Sequence, residues 1–201
     1  MEIKKLKIIG ITGSSGSGKT SVAKLFEEKY KVKTIDADKV VKEMSVPGTE
    51  YIKKIEECFG KEILLQDGKL NKKLLAEKIY QNKEDLEKLN NITFKYVVDE
   101  IKERVVNAKE NYDFIVIDAP LLIESGLDKL CDYIIAVIAN ENIKIKRICA
   151  RDNLREEIAK MRLQIQKDDE FYIKKANYVI SNNENINLEG KIKDIVTEIL
   201  N

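Results

Sequence analysis

Gly13-Ser14-Ser15-Gly16-Ser17-Gly18-Lys19-Thr20 is the stretch whose reading decides the fold. An apolar run, Leu6 to Ile11, precedes it, and the segment after it carries Val22, Ala23, Leu25 and Phe26 at helical spacing. The order is strand, tight loop, helix. A strand that stops at a glycine-rich loop leaves backbone N–H groups unpaired and turned inward, and the helix that follows adds the positive end of its dipole. Together they form a cradle for polyphosphate. Its expected members are Ser14, Ser15, Gly16, Ser17, Gly18, Lys19, Thr20 and Ser21, with Lys19 as a point charge for β- and γ-phosphates and the Thr20 hydroxyl as a ligand for Mg²⁺. The spacing fits the Walker A pattern at every fixed position, so an α/β fold that binds a nucleotide such as ATP is expected.

Composition bounds what surrounds this loop. The 201 residues suffice for one α/β domain with an inserted subdomain. Charged residues are 35% and the formal net charge is only +1, which argues against nucleic-acid or membrane-surface partners, since both need a strong positive field. No His occurs anywhere, so proton transfer falls to a carboxylate, Lys, Tyr or Cys, and His-ligated zinc is excluded. Cys58, Cys131 and Cys149 match no metal or redox spacing, and buried free thiols are expected. Charges at Glu2, Lys4, Lys5 and Lys7 replace the apolar stretch of a leader, and no run approaches membrane-spanning length, so a cytoplasmic protein is expected.

Further along, Val32 to Ile35 alternates as a short strand ending on Asp36-Ala37-Asp38. Strands of open α/β sheets deliver their carboxyl ends to the ligand crevice, so one of these acids reads as a helix cap and the other as a site residue. Thr49 and Asn71 read as caps for two helices, one with Ile52, Ile55, Cys58 and Phe59 on one face, the other with Leu74, Leu75 and Ile79. A third helical pattern runs from about Lys83 to Lys109. Asn82-Lys83-Glu84-Asp85 spells a guanine-recognition tetrapeptide, but no buried strand precedes it, and Asn82 reads as a cap. Phe114 to Ile117 is a strand buried on both faces; it ends on Asp118, a candidate to orient Mg²⁺, and leads into a crevice loop with Leu121, Leu122 and Glu124. Tyr133 to Ile138 and Tyr178 to Ile180 read as the remaining strands. Between them, Ile143 to Lys175 reads as helical, with Arg147, Arg151, Arg155 and Arg162. Charge runs are often solvated faces. A mobile lid bearing Arg147 and Arg151, four apart on one helix face, is the functional alternative.

Taken together, these blocks resemble the dephospho-coenzyme A kinase family, P-loop kinases of the nucleoside-monophosphate-kinase type. The resemblance is carried by the glycine loop, Ile35-Asp36-Ala37-Asp38, Val46-Pro47-Gly48-Thr49, Phe59-Gly60, Asp67-Gly68, Asp118-Ala119-Pro120-Leu121-Leu122 with Glu124 and Gly126, Arg147 with Arg151-Asp152, Arg162, Gln166 and Asn182. It implies transfer of the γ-phosphoryl of ATP to the ribose 3′-hydroxyl of dephospho-coenzyme A. In that scheme Asp38 is the general base and Asp36 its neighbour, while Arg147 and Arg151 are the lid arginines and Asn182 the adenine-side residue. Asp36, Asp38, Lys42, Leu121, Leu122, Glu124 and Arg162 face the acceptor, and Thr20 and Asp118 hold Mg²⁺. The implied fold is a five-stranded parallel sheet flanked by helices. Its core covers about 1–45, 111–140 and 176–201, a helical acceptor-binding insertion covers about 46–110, and a lid about 141–175. A monomer or weak homo-oligomer acting on a small molecule is expected.

The sequence departs from the family at three points. Gly13-Ser14-Ser15-Gly16 stands for the usual Gly-Gly-Ile-Gly, Lys42 for a common Arg, which removes a bidentate phosphate clamp, and Phe94-Lys95 for a His-Pro pair. Two other readings stay open: a kinase of another small alcohol or nucleotide, and a module that hydrolyses ATP only as a switch. The second needs no carboxylate at an acceptor hydroxyl, which the pair Asp36 and Asp38 disfavours.

Overall fold

The apolar run before the glycine loop forms β1, Lys7–Thr12, whose last residues are buried on both faces. It pairs in parallel with β3, Phe114–Asp118, on one side and β4, Tyr133–Ile138, on the other. With β2, Val32–Asp36, and β5, Tyr178–Ser181, the sheet has five parallel strands in the order β2-β3-β1-β4-β5. The strand that leads into the loop is thus central, with its neighbours' carboxyl ends beside it. This computed structural model describes residues 6–108, 112–184 and 186–200; the charges at Glu2, Lys4 and Lys5 lie outside them.

The chain divides into two compact units, Met1–Ile35 with Asn107–Asn201, and Asp36–Val106. In the first, Ile9, Ile11, Phe114, Val116, Ile135 and Val137 of the sheet meet Val22 and Phe26 of α1, Lys19–Lys29, in one buried cluster. Each such side chain contributes about 1.5–3 kcal/mol by leaving water. The same cluster is closed by Ile192, Ile195, Val196 and Ile199 of α9, Leu188–Leu200, a helix absent from the sequence expectations although its apolar residues keep a helical period. Gly10 has no side chain because Leu122 lies over it; a Cβ there would stand 2.6 Å from the Leu122 side chain.

Within the second unit, four helices follow one another. They are α2, Ala37–Met44, α3, Glu50–Phe59, α4, Lys72–Gln81, and α5, Lys83–Ala108, whose last residues pass into the first unit. Asp36, Thr49 and Asn71 cap the first three, their side chains accepting from the Lys39, Ile52 and Leu74 amides. Asn82 accepts from the Glu84 N–H at 2.9 Å, so it is a cap and not a base-reading residue. Tyr51, Ile52, Ile55, Phe59, Ile63 and Leu75 form this unit's own core. Cys58 is exposed, which corrects the expectation of a buried thiol. Tyr51, Ile55 and Phe59, four apart, define the inner face of α3 with Ile52, and position 58 falls on its flank.

The segment expected to be continuously helical is three helices: α6, Glu141–Asp152, α7, Glu156–Gln164, and α8, Asp169–Ile173. Asn153, at φ 51°, ends α6 in the left-handed conformation that Asn tolerates. Asp168 starts α8 by accepting from the Phe171 N–H at 2.8 Å.

Candidate active site

Sharp reversal of the chain after β1 depends on left-handed backbone at Gly16 (φ 77°) and Gly18 (φ 98°). At Gly16 a Cβ would stand 2.5 Å from the Lys144 carbonyl oxygen, and at Gly18 it would overlap the Asn182 side chain. Glycine therefore serves both the turn and the close approach of α6 and of the segment after β5. Gly18 caps α1 with no side-chain hydrogen bond, and the Ser21 N–H turns back to the Gly18 carbonyl at 3.0 Å.

The side chains around this loop converge. Lys19, 8% exposed, donates from Nζ to the Gly13 and Ser14 carbonyl oxygens at 2.8 and 3.1 Å. Both acceptors are carbonyls of the loop itself, so the ammonium is held against the cradle. Thr20 Oγ1 lies 3.4 Å from Asp118 Oδ2, because the β1–β3 register sets Ile11 opposite Asp118 at the sheet edge. Asp118 is 7% exposed. A hydroxyl and a carboxylate are hard oxygen donors, and such a pair suits Mg²⁺, which keeps waters and takes phosphate oxygens for its other positions. Among the described residues no group of three or more His, Cys, Asp or Glu could hold a metal alone.

Arg147 is half-buried rather than solvated. Its guanidinium donates to the Gly16 and Ser17 carbonyls at 3.3 and 3.2 Å and to the Asn182 carbonyl at 3.0 Å. Asn182, 9% exposed, donates from Nδ2 to the Ser17 carbonyl at 2.9 Å. Arg151 donates to both Asp152 carboxylate oxygens at 2.8 Å and approaches Ser15 Oγ at 3.5 Å. Arg162 donates to the same Asp152 at 2.6 Å. The Arg151 and Arg162 guanidinium groups hold the Asp152 carboxyl below its ordinary range.

Ser14 to Thr20, Asp118, Arg147, Arg151, Asn182 and Arg162 thus come together in the first unit; Ser21 is exposed on α1. Asp36, Asp38 and Lys42 lie on the second unit, where Asp36 is the cap, Asp38 is exposed in the first turn of α2 and Lys42 is exposed in its last. Leu121 is 48% exposed, but Leu122 is fully buried, so its side chain is a core residue and not an acceptor contact. Glu124 is half-buried, with Oε2 enclosed and lacking a hydrogen-bond partner. Burial, aided by Asp128, pushes its carboxyl above the ordinary value.

Lys144 and Asp169 escaped the sequence reading. Lys144 Nζ lies 2.9 and 3.0 Å from the two Asp169 oxygens and 3.2 Å from Ser14 Oγ. The signal available was spacing: Lys144, Arg147 and Arg151 recur at helical intervals on one face of α6. Gln166, quoted above without a role, accepts from the Ser15 N–H at 2.8 Å. Tyr172, 2% exposed, has its hydroxyl pushed up to about 12, first by burial and then by the carboxylates of Glu124, Asp169 and Asp168.

Residues 7–187 match the family model described as dephospho-CoA kinase (CoaE). The chain is 40% identical to the dephospho-CoA kinase of Fusobacterium nucleatum over 90% of this chain and 92% of that one. It is 40% identical to that of Listeria monocytogenes over 96% of each. Among solved structures it is similar to the dephospho-CoA kinase from Campylobacter jejuni, with a TM-score of 0.68, 30% identity and 96% of each chain covered. A phosphate cradle with cation, hydroxyl and acid in place, matched over nine-tenths of the sequence, leads to one conclusion: the chain belongs to the dephospho-CoA kinase family.

Proposed function

We propose that this chain transfers the γ-phosphoryl group of ATP to the ribose 3′-hydroxyl of dephospho-coenzyme A, giving coenzyme A and ADP. The observation that carries the reading is the first unit's cradle, Lys19 with Thr20 and Asp118, in a chain of this family. The Lys19 ammonium exchanges two neutral carbonyls for charged phosphate oxygens, a stronger hydrogen bond. Loop amides from Ser15 to Thr20 hold the phosphates, Asn182 lies on the adenine side, and Arg147 and Arg151 meet the charge that spreads over the transferred oxygens. Thr20 and Asp118 would hold Mg²⁺, whose chemistry when bound is to neutralise phosphate charge.

In the same reading Asp38 accepts the 3′-hydroxyl proton as the hydroxyl oxygen attacks phosphorus and the bond to the ADP oxygen breaks. Asp36 keeps α2 in place as its cap. Lys42, Leu121, Glu124 and Arg162 contact the acceptor. Residues 46–110 form the acceptor-binding insertion and 141–175 the lid. We place the reaction in the cytoplasm, in a monomer or weak homo-oligomer. Among the described residues no helix is long and apolar enough to cross a membrane.

Two measurements test the reading. ADP release is followed with dephospho-coenzyme A, AMP, adenosine, uridine and shikimate as acceptors, and only the first is expected to stimulate it. A preference for another acceptor, explained by Lys42 or Phe94, transfers the reading to a different alcohol. Asp38→Asn lowers turnover by about 10²–10⁴, the usual worth of a general base, and wild-type turnover in that variant removes Asp38 from the role.

A further inference from the structure

The connector between α7 and α8 and the first residue of α8 touch the phosphate loop at two points. Near its start, Gln166 Oε1 accepts from the Ser15 N–H at 2.8 Å. Three residues on, Asp169 takes Lys144 Nζ on both oxygens, and Ser14 Oγ lies 3.4 Å from its Oδ1. The two contacts differ in kind. The Lys144–Asp169 pair is a charged anchor with the lysine side chain 11% exposed. The Gln166 contact is a neutral hydrogen bond made to an amide that the polyphosphate reading assigns to nucleotide.

We propose that residues 165–169 are a strap in which Gln166 competes with nucleotide phosphate for the Ser15 amide, while Lys144 and Asp169 keep the strap tethered to the loop. The proposal rests on the reading that the loop binds nucleotide. A phosphate oxygen makes a charge-assisted bond to N–H and an amide oxygen a neutral one, so nucleotide wins, at an affinity reduced by the fraction of molecules in which Gln166 is already seated. The expelled side chain has space: a cleft of ≈ 540 Å³ opens beside it, lined in part by Ser14, Lys144, Leu163 and Asp169. Since Gln166 joins α7 to α8, its expulsion couples the arrival of nucleotide to the segment that carries Arg162.

The test is calorimetric titration of ADP and of ATP, with Mg²⁺ and without acceptor, into the full chain. Gln166→Ala is expected to bind both about two- to tenfold more tightly than wild type, the span of one neutral hydrogen bond removed from the competing state. Gln166→Glu is expected to bind both more weakly, because its carboxylate still accepts from the Ser15 N–H and now repels phosphate. Unchanged or weaker binding by Gln166→Ala overturns the strap, since Gln166 is then a bystander or itself a nucleotide ligand. A wild-type chain that binds neither nucleotide overturns the functional reading and the strap together; wild-type binding with no gain in Gln166→Ala overturns the strap alone.

Discussion

Glu124 shows how much of a residue's role is written in its neighbours. Burial and Asp128 raise its carboxyl above the ordinary 4.5, with Lys167 opposing. A carboxyl raised on folding stabilises the protein fully below its unfolded value, and that stability is lost as pH rises through the folded value. Glu124→Gln removes this titration, so its stability relative to wild type should increase between pH 4.5 and neutrality, read as the difference in urea midpoints. A difference that stays constant with pH would show that Glu124 ionises in the fold as it does in water. A motif block singled out Glu124; its enclosed oxygen without a hydrogen-bond partner was not legible, because enclosure is set by residues distant in sequence. Lys144 makes the same point. In the sequence it is one cation in a charged run, and only the approach of Asp169, 25 positions away, turns it into a buried anchor.

Elements were legible where their chemistry is local. The caps at Thr49 and Asn71 depend on a side chain reaching an amide three residues ahead, and both were readable before any coordinates. Thr49→Ala should cost about 1 kcal/mol of the second unit's stability by orphaning the Ile52 amide, measured by thermal melting, with Thr49→Ser restoring most of it. The division of 141–173 into α6, α7 and α8 was not readable, because the left-handed Asn153 is one of several residues that could have ended a helix there. Strands fared better. Phe114 to Ile117 is apolar throughout because β3 is covered on both faces, and a run of that kind has few other homes in an α/β fold.

For the whole molecule, separate buried clusters in the two compact units imply two cooperative units of unfolding. Ile55 is fully buried in the second cluster, and Ile55→Ala should destabilise that unit by about 2–5 kcal/mol. Amide hydrogen exchange checks it: protection should fall across 50–105 and persist in β1, β3 and β4, whereas uniform loss would indicate a single cooperative unit. The motif order revealed the family because several blocks mark a strand end or a cap, as Asp36, Thr49 and Asp118 do, whereas which residues share a unit follows from packing. Strand order adds a constraint on synthesis. β1 and β2 are separated in the sheet by β3, so a chain emerging from the ribosome holds two strands that cannot pair until residue 118 is out. The helices of 36–106, with local contacts of their own, are made during that wait and should collapse first. The cradle at residues 13–20 is therefore completed only once residue 182 has been made, when Gln166, Asp169 and Asn182 close around it.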